Sequence, residues 1–163
     1  NQHVAIYESA DIVKYLFATY GNGSVPRAYR RGLLDVPLSA LATVSGALRG
    51  IRYRNAHQPQ QLLHLWSFES SPFARLVRER LTELELPYVL HNLGKEQWAD
   101  MGMAALRVKP GPYRPKPGGK REAFLKRVGK VQVPYLEDPN TGKALFESAD
   151  IMAYLEREYA KAP

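Results

Sequence analysis

Two serines in this 163-residue chain stand where a hydroxyl meets the start of a helix. Ser71 precedes Pro72 at the head of one amphipathic run, and Ser148 follows Glu147 at the head of another. A serine so placed caps exposed backbone N–H groups, and the helix end itself favours negative charge. The chain has no cysteine, which excludes disulfides, thiolate metal sites and thiol–disulfide exchange for this segment. His3, His57, His64 and His91 are scattered, and with the carboxylates and hydroxyls they make no metal-ligand or hydrolase constellation. No metal is therefore expected.

The formal net charge of +7 is unevenly spread. Arg27, Arg30, Arg31, Arg49, Arg52 and Arg54 form one group. A second contains Arg107, Lys109, Arg114, Lys116, Lys120, Arg121, Lys126, Arg127 and Lys130, with Glu122 as its only acid. Arg107 to Arg127 are candidate contacts for an acidic protein surface or, peripherally, an anionic membrane; the alternative is a solvated loop and helix face. Nucleic acid is disfavoured, because no RNP-type aromatic pattern, helix-turn-helix or zinc spacing accompanies the charge. The longest apolar run, Leu38 to Leu48, is interrupted by Ser and Thr and is too short to cross a bilayer. No signal or transit peptide is visible.

What positions the two serines begins with a repeat. Residues 5–21 (Ala-Ile-Tyr-Glu-Ser-Ala-Asp-Ile-Val-Lys-Tyr-Leu-Phe-Ala-Thr-Tyr-Gly) match residues 144–160 at nine of seventeen positions. A duplicated unit is expected. The second copy is preceded by an α/β pattern over residues 62–146, whereas the first follows only a few residues, so the chain is expected to open near the end of a first domain.

Along the chain, Val4 to Tyr7 reads as a short strand and Ser9 to Tyr20 as an amphipathic helix stopped by Gly21-Asn22-Gly23. Pro26 to Leu34 and Val36 to Ile51 read as helices, and Arg54 to Gln61, polar and containing Pro59, as a linker. Leu62 to Phe68 is a β run. A helix carrying Phe73, Leu76, Val77, Leu81 and Leu84 follows from Pro72, and Pro87 to Asn92 is a second strand. Such a βαβ unit requires parallel pairing. Glu96 to Leu106 is expected to be helical, Lys109 to Gly119 to be loop, and Arg121 to Val128 to be a helical turn or two. The Lys130 to Tyr159 stretch adds a strand ending at Asp138, an Asp-Pro-Asn-Thr-Gly turn, a strand over Ala144 to Phe146 and a helix entered through Ser148. The order is β-α-β-α-β-β-α: an α/β fold with a four-stranded mixed sheet and helices on both faces. Composition, at 45% hydrophobic, supports one well-buried domain with flanking structure.

With Val133-Pro134 entering the third strand and Glu147-Ser148 entering the last helix, this order resembles the thioredoxin-like N-terminal domain of glutathione S-transferases. Ser71-Pro72-Phe73, the Val77-Arg78-Glu79 helix ending in Leu84-Glu85-Leu86-Pro87, and Val133-Pro134-Tyr135-Leu136-Glu137-Asp138-Pro139 make it similar to plant and algal proteins with two tandem domains of this type. These are glutaredoxin-like and plastid-targeted. The resemblance implies three parts: residues 1–23 as the end of a first thioredoxin-like copy, 24–61 as a helical connector, and 62–163 as a transferase-type domain. It also implies a chloroplast location.

The resemblance further implies a glutathione site. Val133 would offer its backbone to the cysteinyl part beside a cis Pro134, and Glu147 and Ser148 would hold the γ-glutamyl end. Glu147 can pair with the ammonium, while Ser148 and the helix N–H groups receive the carboxylate. At Ser71-Pro72-Phe73-Ala74 both family thiol positions are empty. The expected function is a binding or structural module without thiol redox activity, a subunit of a larger assembly. The alternative is a serine-type glutathione transferase in which Ser71 is catalytic and stabilises the glutathione thiolate.

Overall fold

The computed structural model describes residues 5–27, 50–103, 106–107 and 113–161. The chain divides into two units, Asn1–Leu48 and Arg49–Pro163. In the first, helix α1 (Ser9–Tyr20) begins after Glu8, carries Asp11 in its first turn and ends at Gly21, as its spacing and the Gly-Asn-Gly stop predict. None of its residues is buried. Ala5 to Tyr7 form no strand, and pair with none of the described residues; Val4 lies outside the described residues. So do most of the two helices expected over 26–51. Where the described residues resume, Gly50 adopts φ +76 and donates its N–H to Glu83.

The second unit holds β1 (Leu63–Ser67), α2 (Pro72–Glu83), β2 (Tyr88–Asn92), a 3₁₀ turn (Trp98–Asp100), β3 (Gly102–Met103), β4 (Leu106–Arg107), α3 (Lys120–Val128), β5 (Tyr135–Asp138), β6 (Lys143–Phe146) and α4 (Ser148–Tyr159). Its main sheet has the order β2-β1-β5-β6. β1 pairs parallel with β2 and antiparallel with β5, which pairs antiparallel with β6. This is the thioredoxin-like arrangement the order of elements predicts.

Alternation along β1 divides the core. Leu63 and Leu65 join Val77, Leu81, Leu136, Ile151, Tyr154, Leu155 and Tyr159 under α2 and α4. Trp66 faces the other way, with Leu93, Phe124, Val131 and Tyr135 on the α3 side. The helix expected over Glu96 to Leu106 is not formed. Its place is taken by the 3₁₀ turn and the short β3–β4 pair, because the Asp100 carboxylate accepts from the backbone N–H groups of Glu96 and Gln97 and closes a tighter turn than an α-helix allows.

The polar stretch before β1 is not slack. Arg54 donates its N–H to the Glu83 carbonyl (2.8 Å) and its guanidinium to Glu156. His57 N–H reaches the Tyr159 carbonyl (2.7 Å), and Ala56 bridges Ala160. These bonds tie the ends of α2 and α4 together.

Candidate functional site

Register gathers the sequence candidates at one end of the sheet. Trp66 pairs with Tyr135, and Tyr135 with Phe146, so the C-terminal ends of β1 and β6 flank the start of β5. Beyond these three residues run the Phe68–Ser71 loop, the Gln132–Pro134 segment and the Glu147–Ser148 corner. The Val133–Pro134 bond is cis, as expected, and Pro134 is fully buried.

The two serines part company. Ser71 is only 3% exposed, and its Oγ accepts from the Ala74 N–H at 3.3 Å; with Pro72 at the first helical position it is the N-cap of α2. Ser148, by contrast, is the first helical residue of α4, not its cap. The cap position belongs to Glu147, whose side chain makes no capping bond. The first-turn N–H groups of α4 therefore receive no bond from their cap residue, while Ser148 is half-exposed beside them. Such an end is a ready acceptor of a carboxylate.

Glu147 is held in an uncommon backbone conformation, φ 61 and ψ 124, which costs a non-glycine residue about 1–3 kcal/mol. Its exposed carboxylate accepts a hydrogen bond from the Gln132 side chain, one residue before Val133. The corner thus joins the last helix to the cis-proline segment through one side-chain bond. In chemical terms the site offers an exposed carboxylate for a cation, an open helix end for an anion, and a strand edge for an extended backbone.

The sequence profile of the glutathione S-transferase N-terminal domain matches residues 65–163. The chain belongs to this family. Among solved structures, it is similar to glutathione transferase BmGSTD1 of Bombyx mori, solved as a complex with GTT. The identity is 25% over 64% of this chain and 39% of that one, with a TM-score of 0.42. It is also similar to a delta-class glutathione transferase of Nilaparvata lugens, with 24% identity over 61% and 37% of the two chains and a TM-score of 0.36. These matches span less than half the length of either transferase. No curated protein sequence matches the chain.

Within this transferase-type domain the basic candidates have different surroundings. Arg114, Lys116 and Lys120 are exposed, with no ion pair among the described residues. Lys126 pairs with Glu122 at 3.0 Å, and Arg127 bonds Glu137 while lying over the Trp66 ring. Arg121 points inward: it is 7% exposed and donates to the Gly94 carbonyl (2.9 Å) and the Leu93 carbonyl (3.2 Å). The Arg107 side chain and Lys109 lie outside the described residues.

Sequence reasoning missed the brace formed by Glu96, Asp100, Tyr113 and Arg121. Glu96 accepts from the backbone N–H groups of Lys120 and Arg121 and so caps α3 from a distance. Tyr113 donates to Asp100 at 2.7 Å. Burial works against the charged form of Asp100, but the bonds from Glu96 and Tyr113 and the Arg121 charge prevail and lower its pKa. Burial raises that of Tyr113. This brace anchors the near end of the Pro- and Gly-rich loop. The four histidines are not all scattered either: strand pairing brings His64 and His91 together, with Nδ1 and Nε2 2.9 Å apart. Among the described residues no group of three or more His, Asp or Glu side chains is arranged to hold a metal ion, and no helix is long and apolar enough to cross a membrane.

Proposed function

We propose that the domain binds glutathione, or a peptide of the same termini, as a recognition module without thiol redox chemistry. The observation that supports this most is the α4 start: an N-terminus without a side-chain cap, a half-exposed Ser148 and a strained Glu147 tied to the cis-proline segment. The Glu147 carboxylate receives the γ-glutamyl ammonium, the first-turn N–H groups and Ser148 receive its carboxylate, and Val133 offers main-chain hydrogen bonds. With no cysteine in the chain, the only thiol at the site would be the ligand's own. Titration calorimetry with reduced glutathione tests the reading. Binding should weaken roughly 10-fold or more in Glu147→Gln, since a charge-assisted hydrogen bond contributes about 1.5–3 kcal/mol. Absence of heat at millimolar ligand would end it.

Ser71 acts in this reading as a helix cap, because its hydroxyl already accepts from Ala74 and is buried. Turnover of a model electrophile that disappears in Ser71→Ala, with the fold intact, would instead establish the serine-type transferase. The assembly role rests on Arg114, Lys116 and Lys120, three exposed cations that suit an acidic protein partner, placed in the plastid by the resemblance to the tandem-domain proteins. Salt-sensitive co-purification, lost when all three are changed to Glu, supports it; association indifferent to those changes removes it.

A further inference from the structure

His64 and His91 stand on neighbouring parallel strands but are not register partners; His64 pairs with Val89, and His91 with Trp66. Their rings nevertheless meet, stacked at 5.2 Å between centroids, with Nδ1 of His64 2.9 Å from Nε2 of His91. At that separation one nitrogen carries a hydrogen and the other offers its lone pair. Two fully protonated rings would present donor to donor and charge to charge, and must separate.

The His91 ring also lies flat on Trp66, at 4.1 Å and 12°. Trp66 contacts Tyr135 at 5.4 Å, and Tyr135 contacts Phe146 at 4.5 Å. Tyr135 immediately follows the cis Pro134, and Phe146 immediately precedes Glu147. One run of aromatic contacts, stacked as far as Trp66 and tilted beyond it, therefore leads from the histidine pair to both halves of the candidate site. The charged and titratable groups around the pair come from two further elements. β5 contributes Glu137, the register partner of His64, and Tyr135, which donates to Glu137 at 2.9 Å. α3 contributes Arg127, bonded to Glu137 and 4.7 Å from the Trp66 ring centroid.

We propose that the His64–His91 pair is a proton-sensitive brace beneath the Trp66–Tyr135–Phe146 stack: joined, it holds the stack, and double protonation parts the rings and shifts the Pro134 and Glu147 corners. Burial, then the neighbouring His64 and Arg127, hold the His91 pKa below the ordinary imidazole value, and Glu137 opposes them only in part. The folded-state value thus lies below the unfolded one. Stability and stack order are fully present above about pH 6.5 and fall as the pH drops through the lower folded value.

The test needs no ligand, so its outcome is separate from that of the glutathione titration. In the Trp98→Phe chain, Trp66 is the sole tryptophan, and its emission is followed between about pH 8 and pH 5. An imidazolium stacked on an indole quenches it, so emission should fall with a midpoint below pH 6.5. The backbone amide signals of Tyr135, Phe146 and Glu147 should shift with the same midpoint. His91→Gln should abolish both changes; if that variant does not fold, His64→Gln should raise the midpoint by removing the opposing ring. A titration that persists unchanged in these variants, or a Trp66 transition that leaves the Tyr135 and Glu147 amides still, overturns the proposal.

Discussion

Glu8 to Tyr20 and Glu147 to Tyr159 begin with the same Glu-Ser-Ala-Asp-Ile and carry Tyr, Leu and Tyr at the same later positions. Both fold into twelve-residue helices, α1 and α4, that start at the serine and carry the aspartate in the first turn. Local sequence is enough for that. Their faces differ completely. Ile151, Tyr154, Leu155 and Tyr159 are buried against the sheet and α2, whereas Ile12 is 37%, Leu16 47% and Tyr20 78% exposed. Where α4 has Glu156, which pairs with Arg54 and Arg80, α1 has Phe17. Periodicity identifies which face is apolar; whether that face is covered depends on residues elsewhere.

The largest effect that would break this contrast comes from the shared leucine. Leu155→Ala should cost about 2–5 kcal/mol, the loss of a fully buried side chain plus its cavity. Leu16→Ala should change stability by no more than about 0.5 kcal/mol. Urea unfolding of each variant, followed in the far ultraviolet, separates the two. Equal losses would mean that the α1 face is as thoroughly packed as that of α4.

A second contrast lies in the paired tyrosines. The buried Asp138 carboxylate accepts from the Tyr154 and Tyr159 hydroxyls and from the backbone and side chain of Asn140. Burial alone would raise the Asp138 pKa, but these donors outweigh it and lower it. Burial and the same carboxylate push Tyr154 up to about 12. Because the folded-state Asp138 value is depressed, its contribution is present above the unfolded value near 3.9 and lost as pH falls through the folded one. Tyr159→Phe should cost about 1.5–3 kcal/mol at neutral pH and should flatten the acid limb of the stability curve. Tyr20→Phe should leave both unchanged. Thermal unfolding measured from neutral pH into acid checks the pair.

The extent of legibility follows from the same reasoning. The βαβ unit, the Asp-Pro-Asn-Thr-Gly turn and the start of α4 were readable, since each depends on residues close in sequence. The helix expected over Glu96 to Leu106 failed because the Asp100 side chain competes for backbone N–H groups, a contest that apolar spacing does not register. Arg121 looked like part of a basic surface and proves to be an interior donor to the Leu93 and Gly94 carbonyls, 28 and 27 residues away. The histidine pair is not legible in the sequence for a similar reason: its members are 27 residues apart and meet only once β1 and β2 align. At the candidate site the cap at Ser71 follows from its neighbours in sequence and the cis Pro134 from the family resemblance, and both are present. The sequence pattern predicts a cap at Ser148, and the structure moves that position to Glu147.

The smallest expected effect gives the sharpest comparison, because the two Glu-Ser-Ala-Asp segments differ in it. Glu8 occupies its cap position at φ −81 and ψ 128, an ordinary extended conformation, while Glu147 occupies the equivalent one at φ 61 and ψ 124. The strain is therefore not written in Glu-Ser-Ala-Asp itself. It arises where β6 delivers the chain to α4 and where Gln132 holds the carboxylate. Glycine carries no penalty at positive φ but loses more chain entropy on folding, about 0.5–1 kcal/mol. Glu8→Gly, at a cap position that glycine suits, should change stability by no more than about 0.5 kcal/mol, whereas Glu147→Gly should gain about 1 kcal/mol once strain of about 1–3 kcal/mol is released. Differential scanning calorimetry of the two variants decides it. A Glu147→Gly protein that melts lower than the parent would mean that the bond to Gln132 stabilises the corner more than its backbone strains it, and the corner would then be a structural clasp.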